Sequence, residues 1–315
     1  MAARGPLVVS VVVAMSLLVS GCGEDDEKPS SSSTPAASGS AEADGEIAHS
    51  AEAVDIGGRN LWVECWGEPV PDEPTVLLIS GSGPTTTYWE TMASAFAAEG
   101  HHLCGYDRAG VGGSDFAPEA RRTTADQVTE LVALLDAADL EEPLVVVAHS
   151  LGSLPALGLV GRAPERVAGV VLVDPWGPRV SAATRAALPP ETPNESPDLA
   201  EERRILNDFM LDPAQNPEHL LLQACNDEAV SLLDEPGPAF GDLPVIVLQA
   251  PLPKRPAGLP RAYDAVARAA WVDANEEFAG ESTRGTVIEV EDTGHNIHED
   301  QPEVVMDAIR DVMAG

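Results

Sequence analysis

The chain has 315 residues, 44% of them hydrophobic, enough to bury a sizeable core in one large domain or two small ones. Its 18 basic residues against 52 acidic ones leave a formal charge of −34, which repels phosphate backbones and anionic membrane surfaces and argues against nucleic acid as a partner. The bland use of such an excess is a solvated acidic surface.

From the N-terminus, Arg4 precedes an apolar run, Leu7 to Val19, too short for a comfortable membrane span and of the kind that directs secretion. It ends in Leu18-Val19-Ser20-Gly21-Cys22, which resembles the bacterial lipobox. The resemblance implies that residues 1–21 are a lipoprotein signal peptide and that Cys22 carries a diacylglyceryl anchor on the outer face of the cell membrane. The alternative is an ordinary secretory signal with an incidental cysteine. Residues 22–48 are Ser, Ala, Gly, Pro and acidic residues with almost nothing to bury, so a flexible tether is expected there and a folded domain over 49–315.

Along that domain, short apolar runs alternate with segments of helical period, the pattern of a mainly parallel sheet covered on both faces. Strands are predicted at Leu61–Trp66, Thr75–Ile79, His102–Tyr106, Leu144–Ala148, Val167–Val173, Leu243–Leu248 and Thr286–Val290. Val128, Leu131, Val132 and Leu135 follow helical spacing behind a capping box of Thr124 and Gln127. A last helix opens with Pro302 and repeats Val305, Ala308, Ile309 and Val312 on one face. Residues 177–242 break the alternation. They are rich in Pro and acidic residues, with helices expected over Leu199–Leu211 and Glu218–Leu233, and are taken as a small helical cap over the sheet's carboxyl edge. The fold class is therefore α/β, a mostly parallel central sheet with helices on both faces and a cap.

The strongest chemical signal is Val145-Val146-Val147-Ala148-His149-Ser150-Leu151-Gly152, an apolar strand running into a Ser flanked by small residues and then a helix-like segment. A nucleophile elbow requires small residues two before and two after the Ser, because the chain turns so sharply that larger side chains collide with its neighbours. Gly is common at the first of these positions; Ala148 is a mild departure. Ser150 is also placed where a helix N-cap would stand.

With this elbow, three further segments make the chain resemble the α/β-hydrolase superfamily from about Leu61 to Met313. Leu77-Leu78-Ile79-Ser80-Gly81-Ser82-Gly83-Pro84 is similar to the loop after the third strand, and Tyr106 to Asp115 is similar to the glycine-rich turn after the fourth. Asp292-Thr293-Gly294-His295-Asn296-Ile297-His298 is similar to the loop that carries the catalytic His. The resemblance implies Ser150 as nucleophile, His295 as general base, and the backbone amides of Ser82 and Leu151 as oxyanion donors, each worth about 3 kcal/mol. Ser80 stands where relatives often have His. Relatives usually place the acid after the strand equivalent to Leu243–Leu248, where this chain has Gln249-Ala250-Pro251 and no carboxylate. Asp174, at the end of the preceding strand, is the expected substitute, with Asp273, Glu276 and Glu277 in reserve.

In closer detail the chain resembles exported actinobacterial hydrolases with a Cys in the second strand and another just before Tyr-Asp-Arg. That likeness implies a Cys65–Cys104 disulfide between sheet neighbours and leaves Cys225 free. Asp107 and Arg108 are expected to brace their turn by an internal ion pair, and His149 to bond locally. Trp89, Trp176 and Met210 can line a pocket but more often fill cores. His101, His102, His219 and His298 lack metal-ligand spacing, so no metal or cofactor is expected.

The expected activity is hydrolysis of a small carboxylic ester through an acyl-enzyme. Other acyl-transfer or peptidase chemistry on the same residues, and an inactive hydrolase fold used for binding, are the alternatives. A dehalogenase is disfavoured because it needs Asp where this chain has Ser150.

Overall fold

The computed structural model describes residues 47–315 apart from 139, 141, 142 and 253. Cys22, the signal segment and nearly all of the tether lie outside the described residues. Strands β1 (His49–Asp55) and β2 (Asn60–Trp66) form an antiparallel hairpin. Its turn places Gly57 and Gly58 at φ of 106° and 100°, a region open to glycine, while the Asp55 carboxylate accepts both of their amides at 2.9 and 2.7 Å. Ile47 packs on the core just ahead of β1.

The chain continues through β3 (Val76–Ile79), α1 (Glu90–Ala98), β4 (Leu103–Tyr106), α2 (Thr124–Ala137), β5 (Leu144–His149), α3 (Ser153–Arg162) and β6 (Val167–Val173). Helices α4 (Val180–Ala187), α5 (Pro197–Arg204) and α6 (Leu222–Leu233) follow before β7 (Gly241–Gln249), α7 (Arg261–Gly280), β8 (Ser282–Glu289), α8 (Ile297–Asp300) and α9 (Pro302–Met313). The eight strands make one sheet in the order β1-β2-β4-β3-β5-β6-β7-β8. β2 runs antiparallel to both its neighbours and every later pairing is parallel.

Strands β3 to β6 read as continuous apolar runs because both faces are covered. Alternation then divides the core. Val146 and Ala148 face a cluster with Leu131 and Leu154 from α2 and α3, while Val145 and Val147 face another with Phe96, Val305 and Ile309 from α1 and α9. Antiparallel β2 and β4 put Cys65 opposite Cys104, Cα atoms 4.1 Å apart, and the two form a disulfide.

Several boundaries differ from expectation. β1 was not foreseen: only Val54 is buried on this edge strand, so it carries no hydrophobic alternation. β8 begins at Ser282 rather than Thr286, being another exposed edge strand. The α2 capping pair is Thr123 with Asp126, whose carboxylate accepts the Thr123 amide at 2.9 Å; Gln127 is drawn away to a buried partner described below. In the insertion after β6, α5 stops at Arg204 and gives way to a π turn over Ile205–Phe209, and α6 begins only at Leu222. Among the described residues no helix is long and apolar enough to cross a membrane.

Candidate active site

β5 delivers Ser150 into a left-handed conformation, φ 49°, before a short 3₁₀ turn leads into α3. Such a backbone at a non-glycine costs on the order of 1–3 kcal/mol and persists only where its surroundings impose it. They do so here from both sides. A Cβ on Gly152 would stand 2.6 Å from the Ile79 carbonyl oxygen and 2.7 Å from that of Ser80, so only glycine lets α3 start this close to β3. Beyond β6, Trp176 donates its amide to the Ser150 carbonyl at 3.0 Å. Ser150 is 3% exposed, lying at the carboxyl end of β5 beneath the residues that follow β6.

Asp174 follows β6, also in the left-handed region, at φ 44°. It is buried, and β7 holds it. Its amide donates to Leu248 O at 2.7 Å, and its Oδ1 accepts the Ala250 amide at 3.0 Å. The segment after β7 thus contributes a donor where a carboxylate was sought. Oδ2 accepts from Nδ1 of His295 at 2.6 Å. With its proton on Nδ1, the imidazole leaves Nε2 as the basic nitrogen. His295 stands in the loop between β8 and α8, which Asp300 pins by accepting the Gly294 amide at 2.8 Å and the Thr293 hydroxyl at 3.1 Å.

His149 ties that loop to the elbow. Its Nε2 donates to the His295 carbonyl at 3.0 Å, and the two rings lie 4.6 Å apart. Burial, and then the neighbouring His295 and His298, hold its pKa well below the usual histidine value, so it serves as a neutral donor. Of the reserve carboxylates, Glu277 is engaged by Arg179 at 2.8 Å, and neither Asp273 nor Glu276 bonds the imidazole among the described residues.

The loop after β3 is held from beneath. Arg108 donates Nη1 to the Ser80 carbonyl and Nη2 to the Gly81 carbonyl at 2.5 Å. In a trans peptide the C=O of Gly81 and the N–H of Ser82 point in opposite directions. Anchoring the first on Arg108 therefore turns the second outward, and neither the Ser82 nor the Leu151 amide has an acceptor among the described residues. Ser80 takes the place of the expected His by accepting Trp89 Nε1 at 3.0 Å and donating to Thr85 O at 3.2 Å.

The expected Asp107–Arg108 ion pair is not formed. Asp107 instead accepts the amides of Thr86 at 2.8 Å and Gly113 at 2.9 Å, which closes the glycine-rich turn. Arg108 pairs with Glu218 from the insertion, bidentate at 2.6 and 2.8 Å, both side chains being at most 3% exposed. Glu218 also accepts Gln127 Nε2 at 3.0 Å. Sequence reading missed Glu218 because its partner lies 110 positions away.

A cavity of about 140 Å³ lies between the insertion and α7. Trp176 and Met210 line it while also belonging to the core; Trp89 is core only. Trp271, whose ring is 6.3 Å from that of His295, and Tyr263 enter from α7, and Glu202 from α5. The helical spacing of Tyr263, Trp271, Ala274 and Phe278 is the signal in the sequence for α7. His102, Cys65 and Cys104 come together with ligand atoms within 4.8 Å, but the two sulfurs are joined to each other. Cys225 is free and buried, and its thiol is pushed up to about 12, which leaves it protonated and inert.

Residues 76–308 match the sequence profile of the alpha/beta hydrolase family. The chain is 37% identical over 105 residues to a putative carbamate hydrolase, RutD, of Variovorax paradoxus (strain S110), a match spanning 33% of this chain and 39% of that protein. It is 27% identical over 238 residues to the uncharacterized protein YqjL of Bacillus subtilis (strain 168), spanning 76% and 83%. In three dimensions it resembles 2-hydroxy-6-oxo-6-phenylhexa-2,4-dienoate hydrolase from Rhodococcus sp. strain RHA1, with a TM-score of 0.57 at 16% identity, covering 86% of this chain and 100% of that one. A likeness at that identity speaks for the fold.

Proposed function

The chain belongs to the alpha/beta hydrolase family, and on that premise we propose that it is a serine hydrolase cleaving a small carboxylic ester through an acyl-enzyme. The observation that carries this is the hydrogen bond of His295 Nδ1 to the buried Asp174 carboxylate, in a loop that His149 ties through the His295 carbonyl to the strand-to-helix elbow, where Ser150 is held in a left-handed turn. In this mechanism Ser150 Oγ attacks the ester carbonyl while His295 Nε2 takes its proton. The negative charge that develops on the carbonyl oxygen is met by the amides of Ser82 and Leu151. His295 then returns the proton to the departing alkoxide, and water, activated by the same nitrogen, releases the acid. Asp174 stabilises the imidazolium formed in each half-reaction and keeps the required tautomer.

A fluorophosphonate probe tests the nucleophile. Labelling of the parent protein and its loss in Ser150→Ala are expected; an unlabelled parent protein would favour an inactive, ligand-binding hydrolase fold. Asp174→Asn should lower kcat by about 10⁴-fold, as in triads whose His loses its orienting anion. An unchanged rate removes Asp174 from the mechanism. We further propose that the protein is exported in the manner of actinobacterial lipoproteins and anchored through Cys22, outside the described residues. Metabolic labelling with a radioactive fatty acid, abolished in Cys22→Ser, is the expected result.

A further inference from the structure

The cavity between the insertion and α7 contains a group that the proposed chemistry leaves unused. Glu202, on α5, is only partly exposed in its wall, and its Oε2 accepts the Tyr263 hydroxyl at 2.9 Å. Among the described residues no cation lies within ion-pair distance of it. Burial, and to a smaller degree the neighbouring Glu201, raise its pKa, and Tyr263 is the one group that acts in the opposite direction. The other charges on the wall do not compensate it. Asp264 is paired with Arg268 at 2.9 Å, and Lys254 is exposed at the surface. Apart from the hydroxyls of Ser181 and Thr184 the remaining surface is apolar and aromatic, with Trp176, Trp271, Leu206 and Leu259 prominent.

A carboxylate set in an apolar wall is costly unless something pairs with it. Among the described residues only the neutral Tyr263 hydroxyl does, and the formal charge of −34 enriches cations around the protein while repelling anions. We propose that this cavity binds an alkylammonium group, so that the substrate is an ester with one arm ending in a protonated amine. Glu202 accepts the ammonium N–H, and the rings of Trp176, Trp271 and Tyr263 pack against the chain that carries it.

The geometry also sets a length. Tyr263 and Trp271 are eight residues apart on α7, about 12 Å at about 1.5 Å per residue, and Trp271 is the residue that abuts His295. An extended arm of about eight carbons with its terminal nitrogen covers most of that interval. Ser150 and His295 do not themselves line the cavity, so the shared wall of Trp176 and Trp271 must shift for one ligand to occupy both.

The reaction in this proposal rests on the hydrolase reading; the binding does not, so binding is measured separately. Octylammonium, 1-octanol and octanoate are titrated against the purified full chain and against Ser150→Ala, with quenching of tryptophan fluorescence as the readout. Octylammonium should bind at least about tenfold more tightly than octanol, the scale of a charge-assisted hydrogen bond, and octanoate more weakly than either. Glu202→Gln should erase the ammonium preference and leave octanol unchanged, whereas Tyr263→Phe, which keeps the carboxylate, should retain it. In turnover, the p-nitrophenyl ester of 8-aminooctanoic acid should show a lower KM than that of octanoic acid, and Glu202→Gln should close the gap. Equal binding of octylammonium and octanol, or a preference that survives Glu202→Gln, overturns the proposal. An ammonium preference without fluorophosphonate labelling would keep this site and discard the hydrolase reading; labelling without the preference would do the reverse.

Discussion

Glu218→Ala removes the carboxylate that pairs with Arg108. At 3% exposure the guanidinium has no water to turn to, and its Nε and Nη2 lose their bidentate partner while Gln127 Nε2 loses an acceptor. Breaking a buried pair from one side costs about 3–5 kcal/mol. For a domain of this size that lowers the Tm by roughly 5–9 °C, against a total stability of about 5–15 kcal/mol, so the variant should still fold in the cold.

The catalytic effect has a different origin. Arg108 also holds the Ser80 and Gly81 carbonyls, and a guanidinium released from Glu218 no longer fixes the peptide that aims the Ser82 amide. One misplaced oxyanion donor costs about 10²–10³-fold in kcat, with KM little changed. The double variant Arg108→Met/Glu218→Leu separates the two effects. With both charges gone from the interior most of the stability should return, but the loop has lost its anchor and kcat should stay low. Thermal denaturation and steady-state kinetics on a p-nitrophenyl ester measure both quantities. A Glu218→Ala protein that keeps its Tm and its kcat would refute the coupling, and so would a double variant that regains full activity.

Replacing Cys65 and Cys104 together by Ser opens a loop with a sequence separation of 39, worth about 4 kcal/mol in the chain-entropy model, and urea denaturation should show that loss with kcat preserved. His298 packs against Trp89 with tilted rings whose centroids are 4.3 Å apart, and its pKa is held down at about 3, chiefly by burial. A histidine whose folded pKa lies below its unfolded one destabilises the fold as pH falls below the unfolded value, about 6.5, and continues to do so down to the folded value. His298→Phe should therefore lose about 1.4 kcal/mol less per pH unit than the parent protein between about pH 6 and pH 4. Parallel stability curves in that range would contradict the assignment.

The elbow, the His loop and the glycine-rich turn were legible in the sequence because each is a local device. A strand of fully buried Val residues, a Ser in a turn too tight for large neighbours, and glycine at 152 are consequences of backbone geometry within a few positions. The central strands were legible for a related reason: burial on both faces leaves an uninterrupted apolar run. Edge strands β1 and β8 lacked that signature because water covers much of them. Tertiary structure decided the relations between distant residues, which no local pattern carries. It brought Asp174 to His295 across 121 positions, with the Ala250 amide in the place of the missing carboxylate. It gave Arg108 a partner in Glu218 rather than its neighbour Asp107, and set Glu202 opposite Tyr263 with no cation paired to it among the described residues. A one-dimensional pattern records which residues must be buried or must turn; which charge meets which is settled only when the sheet order and the insertion have placed them.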